Sequence, residues 1–399
     1  MVRSSSTSRA AGLLPVARDV AAAFTFPRTG LVARNRTVLA AMTNRQSFPD
    51  GTLSKEEVDF LVRRAQGGFG IVTTACAHVT RDGQGFPGEL GVFDDKHLLG
   101  LGFLATELRK HGALSLVQIF HAGLQAPQHL TGEVPKSPSG PLQVGTHLSE
   151  TGLSREFTES EVWDVIDAFA TATRRVFDAG FDGVELHGAH GYLINQFLGA
   201  ETNFRTDGFG GTRQNRFRFL FEIIAAIRRI LPPPGAADFR PFLIGVRISP
   251  ERNCGVLLED SIELTKQLRD LQVDFIHLSC WDIRQTSSQE TNSSKTLTEH
   301  FTSRIKDLPP VITTGRIWTH DDCLLGLQQG ADLLGSARAS IGNPDWAMEI
   351  VQQASAYQPK LPPYSEDHLK RQSLSDVFVY YMRRWRFVER DGKVLPFRE

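Results

Sequence analysis

The stretch FDGVELHGAHGYLINQFLGAETNFRTDGFGGTRQNRFRF, residues 181–219, decides the interpretation of the whole chain. It begins with a short apolar run, residues 183–186, which is typical of a buried strand. Gly188 and Gly191 permit a tight turn directly after the run. Such a turn can bring three polar side chains into one small volume: His187, His190 and Tyr192. Imidazoles can donate hydrogen bonds to a substrate oxygen, and a tyrosine can transfer a proton.

Two other interpretations of this cluster involve no acid–base chemistry. A histidine at a strand end is often a hydrogen-bonded structural residue. His187 and His190 could also bind a metal ion together with Glu185. The known two-histidine zinc motifs, however, place their histidines on a helix at other spacings, and no further soft ligand lies nearby in the sequence. We therefore expect no metal site.

The residues that follow the cluster favour a functional role for it. Three short motifs appear in order: NFRTD at 203–207, FGG at 209–211 and NRFRF at 215–219. With the preceding HGAHGYL they resemble the Old Yellow Enzymes, the FMN-dependent NADH:flavin oxidoreductases and ene-reductases. Members of that family carry H-x-A-[HN]-G-Y-L, N-x-R-x-D-x-[YF]-G-G and N-R-x-R-F in this order. The resemblance extends from about Phe24 to about Met348.

The composition is that of an ordinary globular enzyme. The 399 residues are 41% hydrophobic and 22% charged, and they can bury a sizeable core. The net charge of −1 gives no electrostatic reason to expect nucleic acid or an acidic membrane as a partner. No apolar run approaches the roughly 20 residues that a membrane-spanning helix needs. We expect a small-molecule substrate.

The cysteines and the N-terminal residues indicate the compartment. Four cysteines are far apart and form no C-x-x-C pair: Cys76, Cys254, Cys280 and Cys323. That spacing argues against a disulfide framework and against an iron–sulfur cluster. Residues 1–23 carry arginines among Ser and Ala without an apolar core, which favours a disordered tail over a mitochondrial presequence. The expected location is the cytoplasm.

The chain alternates between strand and helix patterns. Eight apolar runs predict strands over residues 38–42, 69–73, 113–120, 183–186, 242–246, 275–278, 311–313 and 331–334. Capping boxes at Ser54/Glu57 and Thr158/Glu161 predict the starts of two of the helices between them. Eight units favour a (β/α)8 TIM barrel over a doubly wound sheet. We expect one barrel domain over 24–355 and a C-terminal extension, 356–399, packed on it.

Polar residues follow most of the predicted strands, and two long polar segments, 123–153 and 281–295, follow the third and sixth. In a barrel enzyme both segments lie over the catalytic face, and the working side chains come from the carboxyl ends of the strands. The candidates at those ends are Thr43, Cys76, Gln118, His121, the 187–192 cluster, Arg247, Gly315, Arg316, Ala337 and Arg338. Small residues after strands seven and eight suit a phosphate group. The spacing predicts a phosphorylated ligand and leaves its identity open.

The resemblance implies a role for each candidate near a flavin ring. Ala41, Met42 and Thr43 match the segment under the flavin, where the threonine hydroxyl tunes the redox potential. Cys76 falls where the family has a small residue beside the ring. Gln118 matches the glutamine that binds the pyrimidine edge.

The remaining matches concern charge, phosphate and substrate. Arg247 matches the arginine beside flavin N1 and O2, whose charge favours the reduced cofactor. Four residues match the two phosphate loops: Gly315, Arg316, Ala337 and Arg338. His187 and His190 match the pair that holds the activating oxygen of the substrate, and Tyr192 matches the proton donor.

The resemblance thus implies an FMN enzyme that takes hydride from NADH or NADPH and reduces an alkene activated by a carbonyl or nitro group. Two alternatives stay open: a non-redox barrel enzyme that binds a phosphorylated substrate, and a flavin binder without catalysis. The basic, aromatic segment 380–390 is expected to pack on the barrel as a helix. Some relatives insert a C-terminal arginine into a neighbouring subunit, so Arg383 or Arg384 could act across a homodimer.

Overall fold

Eight parallel strands form a closed barrel, as the strand–helix alternation predicts. The computed structural model describes residues 19–142, 153–352 and 357–397. The strands are β1 (Thr37–Leu39), β2 (Ile71–His78), β3 (Leu114–Phe120), β4 (Gly183–Gly188), β5 (Leu243–Ile248), β6 (Phe275–Ser279), β7 (Val311–Thr314) and β8 (Leu333–Ser336). Each pairs in parallel with the next, and β1 pairs with both β8 and β2, which closes the ring. The predicted (β/α)8 class is confirmed.

The strand bounds differ from the predicted ones by up to five residues, and at two strands the difference has a local reason. Strand β2 continues five residues beyond Thr73 because its register against β3 shifts between Thr73 and Cys76, as in a β-bulge. The bulge interrupts the alternation of side chains that marks a strand in sequence. Strand β8 begins two residues later than predicted, because Ala331 N–H still bonds Gly326 O at the end of the preceding helix.

Helices alternate with the strands and cover the outside of the barrel. They are α1 (Lys55–Gln66), α2 (Leu98–Lys110), α3 (Glu159–Asp178), α4 (Arg213–Ile230), α5 (Leu258–Asp270), α6 (Leu297–Arg304), α7 (His320–Gln328) and α8 (Trp346–Val351). Shorter helices span Gln128–Thr131, Leu193–Leu198, Arg338–Gly342, Glu366–Arg371 and Asp376–Met382. None of the helices in the described ranges is both long and apolar enough to cross a bilayer.

The two predicted capping boxes have different outcomes. Thr158 and Glu161 form the full reciprocal pair at the start of α3. Ser54 caps α1 by accepting from Glu57 N–H, but the Glu57 carboxylate does not return the bond. It accepts instead from Asn44 at 2.9 Å and from the hydroxyl of Ser47. The box predicted at Ser54 and Glu57 is therefore only half formed, because the buried glutamate anchors the segment that follows β1.

The amino end of the barrel is closed by apolar side chains. Its interior holds one inward-facing residue from each of seven strands: Val38, Ile71, Leu116, Leu243, Phe275, Ile312 and Leu333. A short antiparallel pair, Phe24–Thr25 with Val32–Ala33, precedes β1. Phe26 and Ala33 from this hairpin are fully buried in the same cluster. Any ligand site must therefore lie at the carboxyl end.

The C-terminal residues 357–397 pack against α1 and the barrel. The ring of Phe378 lies edge to face with that of Phe60, with centroids 5.1 Å apart. The buried guanidinium of Arg64 donates to the carbonyl oxygen of Gln372 at 2.7 Å and to that of Ile341 at 2.9 Å. These contacts fix the position from which residues 381–387 reach the carboxyl end of the barrel.

Candidate active site

The carboxyl ends of the strands surround a cavity of about 780 Å³. It is lined by all but two of the predicted site residues: Ala41, Met42, Thr43, Cys76, Gln118, His187, His190, Tyr192, Arg247, Gly315, Ala337 and Arg338. Of the two exceptions, Arg316 lines a small adjoining cavity of about 30 Å³ that it shares with Gly315 and Arg338, and His121 lines neither cavity. Loop residues Gln125 and Trp281 also line the main cavity, so both predicted long loops reach the catalytic face.

His187 presents a hydrogen-bond donor to the cavity. Burial holds the pKa of His187 well below its ordinary value, so the ring is neutral at physiological pH. Its Nδ1 accepts from the backbone N–H of Ala189 at 3.3 Å. A neutral ring that accepts at Nδ1 carries its proton on Nε2. This arrangement suits a side chain that binds a carbonyl or nitro oxygen.

His190 and Tyr192 complete a compact cluster around His187. The ring of His187 lies edge to face with the rings of both residues, with centroids 4.9 Å apart in each case. His190 has a positive φ of 60°, and its backbone N–H donates to Ser249 Oγ at 3.1 Å. Its Nε2 lies 2.8 Å from Ser279 Oγ on β6. The turn after β4 therefore brings the rings together, as its glycines predict.

The hydroxyl of Tyr192 is buried in a setting that keeps it protonated. Its ring packs edge to face on Phe120, with centroids 4.9 Å apart. Burial raises the pKa of Tyr192 well above its ordinary value. The hydroxyl is thus fully protonated at neutral pH, as a general acid must be.

Arg247 holds a buried positive charge on the cavity wall. Its Nη1 donates to Ala41 O at 3.0 Å and its Nη2 to Ser279 Oγ at 3.2 Å. Its Nε is buried and has no hydrogen-bond partner among the described residues. An unsatisfied buried guanidinium N–H is costly unless a ligand acceptor completes it. The carbonyl and ring nitrogen of a flavin are acceptors of this kind.

Gln118 and Thr314 enter the cavity from opposite ends of a buried hydrogen-bonded chain. Gln118 donates to Glu185 at 2.6 Å, and Glu185 contacts His277 Nδ1 at 2.6 Å. His277 Nε2 in turn lies 2.6 Å from the hydroxyl of Thr314. Sequence analysis did not identify Thr314 or His277, and it considered Glu185 only as a metal ligand, because a polar residue inside an apolar run has no distinctive spacing.

Cys76 forms a neutral part of the wall. Its Sγ lies 3.5 Å from a carboxylate oxygen of the buried Glu89. Burial raises the pKa of the Cys76 thiol well above its ordinary value. A thiol held in its protonated form is a weak nucleophile. Cys76 therefore lines the cavity with a small, uncharged side chain.

The corner after β7 and β8 has the features of a phosphate site. A Cβ atom at Gly315 would lie 2.4 Å from Cys280 O, and one at Gly335 would lie 1.7 Å from Thr314 Oγ1. No larger residue fits at either position, so the backbone itself can approach a ligand. Arg338 supplies the charge and is held by a 2.7 Å hydrogen bond from its Nη2 to Trp281 O. The cavity size, this corner and the unsatisfied Arg247 Nε together fit FMN.

His121, predicted at the end of β3, does not line the cavity. Its Nδ1 accepts from Gly123 N–H at 2.9 Å, and its Nε2 lies 3.8 Å from Asp82 Oδ1. It is buried against Phe157. Its role is structural, because the β3 loop folds over it. No group of three potential metal-ligating side chains occurs in the described part of the chain.

The C-terminal segment contributes a wall that the sequence did not predict. Five of its residues line the cavity: Tyr381, Met382, Arg384, Trp385 and Phe387. Arg45, from the loop after β1, stacks its guanidinium 4.6 Å from the centroid of the Tyr381 ring. Arg383 instead forms an ion pair with Glu366 at 2.7 Å. Arg384 thus reaches the cavity of its own chain.

Comparisons with known proteins agree with this geometry. A family model described as the NADH:flavin oxidoreductase / NADH oxidase family matches residues 28–356. A probable NADH-dependent flavin oxidoreductase, YqiG of Bacillus subtilis, is 34% identical over 331 residues, which cover 82% of this chain and 87% of that protein. NADH:fumarate oxidoreductase of Klebsiella pneumoniae is 34% identical over 334 residues, 82% of this chain but only 35% of that longer protein.

Among solved structures, an Old Yellow Enzyme homologue from Zymomonas mobilis superposes with a TM-score of 0.73 at 23% identity. The superposition covers 90% of this chain and 99% of that one. At this level of identity the likeness establishes the fold and leaves the substrate to be argued from the site.

Proposed function

The chain belongs to the NADH:flavin oxidoreductase / NADH oxidase family, and we propose that it reduces carbon–carbon double bonds conjugated to a carbonyl or nitro group. Its cofactor is FMN and its reductant NADH or NADPH, as in that family. One observation carries the proposal: the rings of His187, His190 and Tyr192 converge on one wall of the cavity. The name of the fumarate-reducing relative supports a conjugated alkene as substrate class.

The residues that would hold FMN divide into two groups. Thr43, Gln118 and Arg247 line the part of the cavity that suits the ring, and Arg247 offers its unsatisfied Nε–H to an acceptor there. The phosphate suits the corner at Gly315 and Arg338. Held by these residues, FMN would supply the hydride chemistry of the reaction, with NAD(P)H as the source of hydride and the β-carbon of the alkene as its acceptor.

His187 and His190 hold the activating oxygen of the substrate. The Nε2–H of His187 donates to that oxygen, and His190 supplies a second ring beside it. Hydrogen bonds to an oxygen that gains negative charge are stronger in the transition state than in the ground state. The histidines therefore draw electron density away from the double bond and prepare its β-carbon for hydride.

Tyr192 supplies the proton that completes the reduction. Its hydroxyl donates to the α-carbon as the second new C–H bond forms, and the resulting charge on the tyrosine oxygen is neutralised by a proton from solvent. A raised pKa keeps the group protonated before this step. The net change adds one hydride and one proton across the double bond.

Anaerobic half-reactions test the proposal. The purified protein should be yellow, should bleach with NADH or NADPH, and should regain colour when an enone or a nitroalkene is added. A colourless protein would favour a non-redox barrel enzyme. A yellow protein that is bleached but is reoxidised by no activated alkene would favour a flavin binder without this catalysis.

The proposal also includes the cellular compartment and the partners of the enzyme. All four cysteines are free thiols, which supports a reducing compartment such as the cytoplasm. The proposed chemistry needs a small-molecule alkene as its partner. Arg384 lines the cavity of its own chain, so the proposal assigns it to this site and not to that of a neighbouring subunit.

A further inference from the structure

Four buried side chains form one unbroken chain of hydrogen bonds across the barrel. Gln118 Nε2 donates to Glu185 Oε1, Glu185 Oε2 meets His277 Nδ1, and His277 Nε2 meets the Thr314 hydroxyl, each at 2.6 Å. Only the two end members, Gln118 and Thr314, line the cavity. The two middle members, Glu185 and His277, are fully buried behind them and do not line the cavity. They can therefore affect a ligand only through Gln118 and Thr314.

The positions of the protons in this chain follow from the charge of Glu185. Burial alone would raise the pKa of Glu185, but His277, Arg247 and Gln118 together hold it below its ordinary value. An ionised carboxylate only accepts hydrogen bonds. His277 must then carry a proton on Nδ1, and burial lowers the pKa of His277, which favours the neutral ring. In the neutral ring Nε2 accepts the hydrogen of the Thr314 hydroxyl.

We propose that Glu185 is a positioning residue that determines which hydrogen-bonding atoms Gln118 and Thr314 present to FMN. One N–H of the Gln118 amide is held by Glu185, which leaves its carbonyl oxygen and its second N–H for the cavity. An adjacent acceptor and donor complement a cyclic imide such as the pyrimidine edge of a flavin. Thr314 offers only an acceptor, which suits a hydroxyl of the ribityl chain.

A simpler role for Glu185 would be charge balance for Arg247. The two charges favour each other, since Glu185 opposes the lowering of the pKa of Arg247 that burial causes. In that case a neutral replacement would weaken the binding of any flavin by a similar factor. If Glu185 instead positions Gln118, its neutral replacement should reduce the preference for a flavin with an imide N–H over one that is substituted at the imide nitrogen.

The experiment compares FMN with 3-methyl-FMN, in which the imide N–H is replaced by N–CH3. Apoprotein is titrated with each flavin, and the two dissociation constants are measured by flavin fluorescence. We expect the wild type to bind FMN at least tenfold more tightly than the methyl analogue. In Glu185→Gln, the new amide can donate to the Gln118 oxygen, which allows the Gln118 amide to turn over. The ratio of the dissociation constant of 3-methyl-FMN to that of FMN should therefore fall at least fivefold.

Glu89→Gln is the matched control. Glu89 is also fully buried beside the cavity, but its partners are Cys76 and the backbone N–H of Gly85. Replacing its carboxyl group by an amide should leave the ratio of the two constants within twofold of the wild-type value. If Glu185→Gln weakens both flavins by the same factor and keeps the ratio, the positioning role is overturned.

A measurement on the unmodified holoprotein covers the case in which Glu185→Gln fails to fold. Nitrogen-15 spectra of the histidine rings, with His277 assigned by comparison with His277→Gln, should show a protonated Nδ1 and an unprotonated Nε2 between pH 6 and 8. A proton on Nε2 would contradict the proposal. The inference rests on FMN binding alone, and neither readout involves an alkene or NAD(P)H, so its failure is distinct from a failure of the proposed reaction.

Discussion

Arg247 and His187 are register partners on adjacent strands, β5 and β4. Both side chains are buried on the wall of the same cavity. A fixed positive charge and a neutral imidazole donor are thus held side by side by strand pairing, with no flexible loop between them. Because the two groups are held rigidly, substituting Arg247 should affect mainly the cofactor, and substituting His187 should affect mainly the substrate.

Replacing His187 by Ala should slow alkene reduction by about a hundredfold or more, because it removes a donor to the oxygen that becomes negative, an effect of roughly 3 kcal/mol. Stopped-flow traces of the two half-reactions check this. Flavin reduction by NAD(P)H should change much less, and His121→Ala, outside the cavity, should change neither rate comparably. Equal losses in both half-reactions of His187→Ala would contradict the oxygen-binding role.

Replacing Tyr192 by Phe should slow only the alkene half-reaction, by about 10²- to 10⁴-fold, since it removes a positioned general acid while the ring still packs on Phe120. The solvent deuterium isotope effect on that half-reaction should fall as well. A variant in which bleaching by NAD(P)H slows to the same extent would mean that Tyr192 acts on the cofactor and not as proton donor.

Replacing Arg247 by Gln should lower the midpoint potential of the bound flavin. The lost charge no longer stabilises the negative charge of the reduced cofactor. A charged hydrogen bond worth about 1.5–3 kcal/mol corresponds to roughly 30–60 mV for a two-electron couple. Dye-coupled reduction measures the shift. Arg338→Gln is the control: at the phosphate corner, it should weaken FMN binding with little change in potential.

His78 should make stability depend on pH. Burial lowers the pKa of His78 to about 4. Between about pH 6.5 and 4 the unfolded chain therefore binds a proton that the folded chain does not, so the free energy of unfolding falls as the pH falls. The full loss is about 3 kcal/mol, at about 1.4 kcal/mol per pKa unit. Urea unfolding of His78→Gln should show a smaller fall than the wild type, whereas the exposed His129→Gln should keep the wild-type slope.

Replacing Phe378 by Ala should cost roughly 3–5 kcal/mol of stability, because it leaves a cavity against Phe60. It should also weaken FMN retention, since the C-terminal wall loses its anchor. The neighbouring Val377 is 55% exposed, and Val377→Ala should be nearly neutral. Unfolding that is unaffected by Phe378→Ala would show that the segment does not depend on this contact.

The sequence predicted the parts of the site that follow local rules. The His187 cluster was recognisable because two glycines and an apolar run impose its turn, and Arg247 because it directly follows the apolar run 242–246, although the observed strand continues to Ile248. The bulge in β2 was not predictable, since it depends on pairing with β3. Glu57 was assigned to a capping box on spacing alone, whereas tertiary contacts direct its carboxylate to Asn44.

The largest feature that the sequence analysis missed is the cavity wall formed by the C-terminal segment, which depends on contacts between residues far apart in the sequence. Tyr381 and Arg384 are distant from the barrel motifs in sequence, and nothing in their own segment indicates which surface they meet. Segment 380–390 was expected to pack on the barrel as a helix, but the helix ends at Met382, and a 3-10 turn over Arg383–Trp385 and a strand over Val388–Arg390 follow it. The packing partners of the C-terminal residues are Phe60 and Arg64, more than three hundred positions earlier. The hydrogen-bonding roles of Glu185 and His277 were missed for a related reason. Each role depends on contact with the other residue, which is distant in the sequence.

The family match ends at residue 356, whereas the wall built from residues 381–387 lies beyond it. The groups of the proposed chemistry therefore lie within the matched part of the chain, and this wall of the cavity lies outside it. Changes in the wall can alter the shape of the cavity and leave His187, His190 and Tyr192 in place. Grafting the tail of one homologue onto the barrel of another is the engineering route that this division opens.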